Sequence, residues 1–254
     1  EKPEVPLEAN AILMPGPTRR VLDQEAALIQ SYLERGGRVL ALLDPLTDSG
    51  LDALLSRWGV ELGNDIVVDP ARQLPFVSAA NLFVTTYTKH PVVEHMETLM
   101  TLFPLARSVR PTASPPTDLT VTRLALTSNQ GWGETSTQET TFAFHEGVDL
   151  KGPVSIAVAV ERATQPPVRM VVIGDSDFAT NAQLANAGNR DFILAAMHWL
   201  AAQEQLIGIG PKPLESMKLS LTASQMSSLF WFSIAVFPAC AFAGGAIMWW
   251  LRRQ

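Results

Sequence analysis

The sequence predicts an α/β domain with a mixed, mainly parallel sheet, followed by one C-terminal transmembrane helix. Three observations lead to this fold class. Residues 11–43 pass from an apolar run through a helical period to a second apolar run. The apolar runs 154–160 and 168–173 are joined by only seven residues. Finally, residues 219–251 contain no charged side chain.

The first of these segments predicts a strand, a helix and a second strand. The apolar run 11–14 stops at Pro15-Gly16-Pro17, a turn sequence. Apolar residues then recur every three or four positions, at Leu22, Ala26, Ile29 and Leu33, until Gly36-Gly37 ends the helix. Residues 38–43 form the second strand. Such a βαβ unit has parallel strands and a right-handed crossover.

The same periodicities assign the rest of the domain. They predict helices over 51–58, 92–100 and 190–203, and strands over 65–69, 83–87, 121–127, 154–160 and 168–173. We expect Asn189 to cap the last helix. A connection of seven residues is too short for a crossover, so the final two strands form an antiparallel hairpin. The sheet is therefore parallel where the chain begins and antiparallel nearer its end.

The C-terminal segment has the length and composition of a membrane span. A helix over 229–251 covers roughly 35 Å, which exceeds a hydrocarbon core of about 30 Å. Aromatic residues lie at both ends, and Arg252 and Arg253 follow directly. The positive-inside bias places residues 252–254 in the cytoplasm and residues 1–207 outside it, with 208–228 as a linker and juxtamembrane segment.

Small residues suggest that this helix packs against a partner helix. Ala235, Ala239 and Ala243 are four residues apart, and Gly245 lies nearby. Small side chains at this spacing let two helices approach closely in a membrane. The alternative is an anchor that touches only lipid.

Composition excludes several classes of function. The formal net charge is −6 and no basic run occurs, so nucleic acid is not an expected partner. The single cysteine, Cys240, lies in the apolar C-terminal segment. The rest of the chain therefore has no disulfide, cysteine nucleophile or cysteine metal ligand, and no cofactor is expected. The chain begins at Glu1 without methionine, so we expect a processed product or a fragment.

The best candidate site is the acidic turn Gly174-Asp175-Ser176-Asp177, after the most strand-like run. Ligands of open α/β sheets collect beyond the carboxyl ends of strands, where Asp44 and Asp69 are also expected. Two aspartates beside a serine could hold a divalent cation or a polar ligand. The alternative, which we favour, is that Asp175 and Asp177 cap backbone N–H groups of the following turn.

Enzymatic alternatives have weaker support. A hydrolase or metal-dependent enzyme centred on Asp175, Ser176 and Asp177 would need a base, and His145 and His198 are not linked to Ser176 by spacing. Phe178 occupies the position of the second glycine of a G-x-S-x-G turn. His90, Glu94 and His95 miss the spacing of the inverted zinc motif by one residue, so no metal site is expected there.

Several motifs, in this order, resemble the family of gliding-motility GldG proteins and auxiliary ABC-transporter components. The motifs are Asn10 to Pro15, Gly36-Gly37-Arg38 through Leu43-Asp44-Pro45, Thr127-Ser128 with Trp132 and Glu134, Leu150-Lys151-Gly152-Pro153, Gly174 to Phe178 with Asn181, Asn189-Arg190-Asp191, and Trp249 to Arg253. The resemblance implies a flavodoxin-like domain similar to class I glutamine amidotransferases, outside the cytoplasm and beside an ABC permease. It also implies auxiliary or substrate-binding work without hydrolysis.

Together these inferences predict a non-catalytic accessory subunit of an ABC transporter at the bacterial inner membrane. Its expected partners are the permease and its ATPase, membrane lipid and, as a further candidate, another extracytoplasmic subunit. The region of Trp132 is expected to line a cleft. The candidate ligand-binding residues are Asp44, Ser128, Trp132, Asp175, Ser176 and Asp177.

Overall fold

The computed structural model of the chain describes residues 4–6, 9–136, 142–202 and 230–253. The chain divides into two compact units, Glu1–Gly210 and Pro211–Gln254. The strands are β1 (Ile12–Pro15), β2 (Arg38–Leu42), β3 (Val60–Leu62), β4 (Ile66–Val68), β5 (Leu82–Val84), β6 (Thr86–Tyr87), β7 (Thr101–Phe103), β8 (Val109–Pro111), β9 (Thr120–Leu126), β10 (Trp132–Glu134), β11 (Leu150–Lys151), β12 (Ser155–Arg162) and β13 (Val168–Ile173). The α-helices are α1 (Asp23–Glu34), α2 (Asp52–Arg57), α3 (Asn189–Leu200) and α4 (Phe237–Leu251).

A six-stranded sheet in the order β1-β2-β13-β12-β9-β6 forms the centre of the first unit. The pairs β1–β2 and β2–β13 are parallel, which confirms the predicted βαβ unit. The pair β12–β13 is antiparallel, which confirms the predicted hairpin. The pairs β12–β9 and β9–β6 are antiparallel as well. The expectation of a mainly parallel sheet is therefore wrong: three of its five strand pairs are antiparallel, and the pairs β12–β9 and β9–β6 join strands that are not consecutive in the chain.

Both faces of this sheet are buried, because its strands alternate their side chains between two apolar clusters. Leu40 and Leu42 belong to one cluster, together with Trp199 of α3. Val39 and Ala41 belong to the other, together with Leu33 of α1. Because successive side chains of a strand point to opposite faces, α3 packs on one face of the sheet and α1 on the other. Smaller antiparallel sheets, β11-β10-β4, β3-β8 and β5-β7, complete the unit.

Asn189 lies at the start of α3 but does not cap it. Gly188 occupies the N-cap position. The buried Asn189 side chain instead accepts a hydrogen bond from the backbone N–H of Leu102 at 2.8 Å and donates to the carbonyl oxygens of Leu102 and Phe178 at 3.0 and 3.1 Å. This residue therefore joins β7, the turn after β13 and α3. The predicted cap is wrong because the fold supplies non-local partners for this side chain.

The predicted transmembrane helix over 229–251 is not seen. Within the described ranges, no helix combines the length and apolar character needed to span a bilayer. The α-helix α4 comprises 15 residues, and a π-helical segment, Phe232–Val236, precedes it. Pro238 lies in the first turn of α4 and has no N–H to donate to the carbonyl of Ile234, which gives a reason for the π-helical segment before it.

Of the residues predicted to contact a partner helix, Ala235 lies in the π-helical segment, whereas Ala239, Ala243 and Gly245 lie in α4. The predicted linker, 208–228, lies outside the described residues.

Candidate functional site

Three turns meet where the parallel strands of the central sheet end. β1, β2 and β13 run in the same direction, so Gly16, Asp44 and Gly174 follow their carboxyl ends at one edge. The N–H of Gly16 donates to the carbonyl of Leu42 at 2.9 Å. Gly16 has a φ of +65°, and a Cβ placed there would lie 2.4 Å from Ser176 Oγ. The turns after β1 and β13 thus approach more closely than a side chain at residue 16 would allow.

Asp44 and Ser176 join two of these turns through paired hydrogen bonds. The backbone N–H of Ser176 donates to Asp44 Oδ1 at 2.6 Å, and the Ser176 hydroxyl donates to Asp44 Oδ2 at 2.8 Å. Both side chains are half-buried. The Ser176 hydroxyl therefore has a carboxylate as its acceptor, and the pair holds the turn after β13 against the turn after β2.

Asp175, which directly precedes Ser176 in the chain, is fully buried. Its Oδ1 accepts the N–H of Asp177 at 2.7 Å, which is the capping contact favoured from the sequence. Its Oδ2 has no hydrogen-bond partner within the described part of the chain. Burial raises the pKa of Asp175 to about 8, and the nearby charges of Asp177 and Asp44 add to this effect. Asp175 is therefore largely protonated at neutral pH, whereas the side chain of Asp177 is exposed.

Ser128 forms a second aspartate–serine pair, with Asp69, that has the same hydrogen-bond geometry as Asp44 and Ser176. Its N–H and hydroxyl donate to the two oxygens of Asp69 at 2.7 and 2.6 Å. A third pair repeats the geometry, since the N–H and hydroxyl of Ser108 donate to Asp65 at 2.8 and 2.7 Å. Each pair satisfies a carboxylate that follows or precedes a strand. The sequence groups Ser128 with the acidic turn as a candidate ligand residue, but its contacts are with Asp69.

Trp132 is buried in a small apolar cluster with Ile66 and Val68 of β4. Its Nε1–H donates to Glu134 Oε2 at 3.2 Å. Its ring lies edge-on to that of Phe144, with 6.2 Å between the ring centroids. Only 9% of the residue is exposed, so most of the Trp132 side chain is packed within this unit. The predicted ligand residues are therefore distributed: Asp44, Asp175, Ser176 and Asp177 are brought together, whereas Ser128 and Trp132 have other neighbours.

A cluster that sequence reasoning does not identify surrounds Glu134. Ligand atoms of Glu134, His145 and Asp149 all lie within 4.8 Å of one another. Glu134 and Asp149 are buried, and His145 is exposed. From the sequence, His145 is a candidate only as a base for Ser176. A signal is present in the four-residue spacing of His145 and Asp149, but the pairing of β10 with β11 is needed to add Glu134.

His90, the first residue of the pattern His90, Glu94 and His95, packs within the first unit. His90 is extended, with a φ of −161°, and precedes a 3-10 helix, Pro91–Met96. Its Nδ1 accepts the N–H of Val92 at 3.2 Å, and its ring packs against Trp199. A pocket of about 440 Å³ lies beside it, lined by Tyr87, Thr88, Lys89, His90, Pro91, Val93, Glu94 and Glu97.

Comparison with known proteins gives the relationship of this chain. A family model described as an ABC-type uncharacterized transport system, ABC_transp_aux, matches residues 1–196. The chain belongs to this family. Membership of ABC_transp_aux makes it an auxiliary component of an ABC-type transport system, associated with other transporter components and linked to the membrane. It does not identify the chain as a GldG protein in particular.

This ABC_transp_aux member is similar in fold to a solved structure titled "mmIFT52 N-terminal domain". The TM-score is 0.59 at 15% sequence identity, over 77% of this chain and 78% of that chain. At this identity the likeness concerns the fold alone. No curated protein matches the sequence.

Proposed function

We propose that this chain is a non-catalytic accessory subunit that binds a partner or a ligand for its ABC-type transport system, on the outer side of a bacterial inner membrane. The proposed partners are the permease and ATPase of that system and membrane lipid, with a further extracytoplasmic subunit as an additional candidate. The match of ABC_transp_aux across residues 1–196, which extends from the first strand into α3, carries this proposal.

The contacts of the acidic turn favour binding over catalysis. The Ser176 hydroxyl donates to Asp44, and Asp175 supports the N–H of Asp177. A serine nucleophile instead needs a base such as histidine within hydrogen-bond reach. No observation favours the alternative of a hydrolase at Asp175, Ser176 and Asp177.

We place the binding surface at the carboxyl ends of β1, β2 and β13. Asp177 is exposed there, and Asp44 and Ser176 are half-buried. Asp175 supports this surface indirectly, because its Oδ1 accepts the N–H of Asp177 and so stabilises the turn. Open α/β sheets bind ligands at this edge, which supports the choice of surface. Ser128 and Trp132 are kept as secondary candidates, since Ser128 is half-buried and Trp132 contacts Glu134.

Affinity capture from membranes tests the proposal. The tagged chain is coexpressed with the permease and ATPase of its own transport system, and their recovery is measured in detergent. Asp177→Lys should reduce recovery at least fivefold, because it reverses one exposed charge without removing a hydrogen bond made by that side chain. Asp23→Lys is the control, since Asp23 is exposed at the start of α1. Absence of both partners from the wild-type capture contradicts the proposal; equal recovery with Asp177→Lys contradicts only the surface.

A partner contact of the C-terminal helix is a separate proposal. Ala239 and Gly245 of α4 are exposed in their own unit, and the predicted set also includes Ala235 and Ala243. Ala239→Leu should lower the capture of the permease if this helix packs closely against it, whereas Met248→Leu, another exposed position of α4, should not. Membership of the GldG branch stays a prediction that the identity of the captured partners would test.

A further inference from the structure

Two buried carboxylates and one exposed imidazole converge at the edge of the sheet formed by β11, β10 and β4. In the antiparallel pair, Trp132 lies opposite Lys151 and Gly133 opposite Leu150. The next residues along each strand, Glu134 and Asp149, therefore face each other across the end of the ladder. The ligand atoms of Glu134, Asp149 and His145 lie within 4.8 Å of one another.

Within the described part of the chain, the hydrogen bonds printed for both carboxylates of this cluster come from neutral donors. Glu134 is 2% exposed, and the Asp149 side chain is fully buried. Neutral donors serve Glu134: the N–H of Ser136 at 2.9 Å and the indole N–H of Trp132 at 3.2 Å.

Asp149 also has neutral donors. It accepts from the N–H and hydroxyl of Thr135 and from the N–H of His145. His145 Nδ1 lies 3.4 Å from Asp149 Oδ2 and is the charged partner only when protonated. A cation bound between the two carboxylates would add a charged partner to these neutral donors.

We propose that Glu134, His145 and Asp149 bind a divalent transition-metal ion of the Zn²⁺ type. This site is independent of the proposed transport function. A carboxylate oxygen has two lone pairs, so each Glu134 oxygen keeps one for a metal after its single hydrogen bond. Ligand atoms around Zn²⁺ are about 3.4 Å apart, so the observed spacing needs only a small contraction.

The ligand set selects the class of ion. An imidazole nitrogen favours Zn²⁺ and neighbouring transition metals over Mg²⁺ and Ca²⁺, which prefer oxygen ligands alone. With 47% of its side chain exposed, His145 lies on the solvent side, so an ion can reach the two buried carboxylates from there. Bound metal would tie the segment before β11 to β10 and stabilise that edge of the first unit.

Metal analysis of the purified full chain tests this assignment. Chelator-treated protein is incubated with Zn²⁺, freed of excess ion and measured for bound zinc, and the dissociation constant is obtained by calorimetry. We expect about one ion per chain, because the cluster provides one set of three ligands. His145→Ala and Glu134→Gln should each weaken binding at least about tenfold, as the loss of a direct ligand exceeds that of a supporting contact. Mg²⁺ should not compete at equal concentration.

Matched controls separate this site from loss of folding and from other histidines. His95→Ala removes an exposed histidine outside the cluster and should leave zinc binding unchanged. Circular dichroism of metal-free His145→Ala should match the wild type, because the Asp149 contact from residue 145 through its backbone N–H is retained. The visible spectrum of the Co²⁺ form should lose its intensity in both cluster variants. Zinc retained equally by the wild type, His145→Ala and Glu134→Gln, or no zinc retained by the wild type, would overturn the proposal.

Discussion

Asp175 makes the stability of the first unit depend on pH in a direction opposite to that of most carboxylates. It is fully buried, its pKa is raised to about 8 chiefly by burial, and its Oδ2 has no partner within the described ranges. The folded state therefore binds a proton that the unfolded chain releases near its ordinary pKa of 3.8. The stabilising contribution is fully present below about pH 4 and is lost as pH rises to about 8.

Replacing Asp175 by asparagine removes this dependence while preserving shape. The amide oxygen can still accept the Asp177 N–H, and the NH₂ group replaces the protonated Oδ2. Between pH 5 and pH 8 the wild type should lose up to roughly 4 kcal/mol of unfolding free energy from this group, at about 1.4 kcal/mol per pKa unit. Water reaching the ionised carboxylate lowers that limit, so we expect on the order of 2–4 kcal/mol.

The assay compares the two proteins at pH 5, 7 and 9. Urea unfolding of the full chain is followed by near-UV circular dichroism, and each difference in free energy is taken at one pH so that other titrating groups cancel. Asp175→Asn should be about as stable as the wild type at pH 5 and clearly more stable at pH 9. A difference that is constant across this range, or one that grows in favour of the wild type as pH rises, refutes the argument from burial.

Three further substitutions test the packing around the turns. Gly16→Ala should lower the unfolding free energy by about 2 kcal/mol or more, because the φ of +65° disfavours alanine and the new Cβ would lie 2.4 Å from Ser176 Oγ. Asp69→Ala should cost roughly 1–3 kcal/mol, because the N–H and hydroxyl of Ser128 lose their acceptors. Phe178→Ala should cost about 3–5 kcal/mol, because its fully buried ring leaves a cavity. Thermal and urea unfolding measure all three.

Controls within the chain isolate each effect. Gly147 has a φ of +82°, and no atom lies within 4 Å of the position that a Cβ would take there, so Gly147→Ala measures the backbone cost without a clash. If Gly16→Ala costs no more than Gly147→Ala, the close approach of Ser176 is not important. Phe76 is fully exposed, and Phe76→Ala should leave stability nearly unchanged. Equal effects at Phe76 and Phe178 would contradict the assignment of the core.

Local patterns account for the parts of the fold that could be predicted. The βαβ unit follows from a change of apolar period between residues 11 and 43, and the hairpin of β12 and β13 follows from the short connection between them. The pairing across the whole sheet could not be predicted in this way, because the partner of β9 depends on contacts distant in sequence. The π-helical segment before α4 shows the same limit, since hydropathy reports apolar character but not the type of helix.

For the candidate site as well, the sequence predicts some neighbours of the residues and not others. Asp44 and Asp175 each follow a strand, as the sequence predicts, but the parallel pairing of β13 with β2 that brings them to one edge is known only from the structure. The division of Ser128 from the acidic turn, and the addition of Glu134 to His145 and Asp149, depend on which strands pair and in which register.

Neighbouring residues are enough to predict the first strands, the final hairpin and the acidic turn, and the order of motifs along the chain is enough to indicate the auxiliary ABC-transporter family. The folded chain is needed to show which aspartate each serine binds, that Asn189 joins three elements, and that two carboxylates are buried beside His145. Those outcomes depend on burial and on contacts between distant residues, where hydrogen-bond satisfaction and desolvation outweigh local preference.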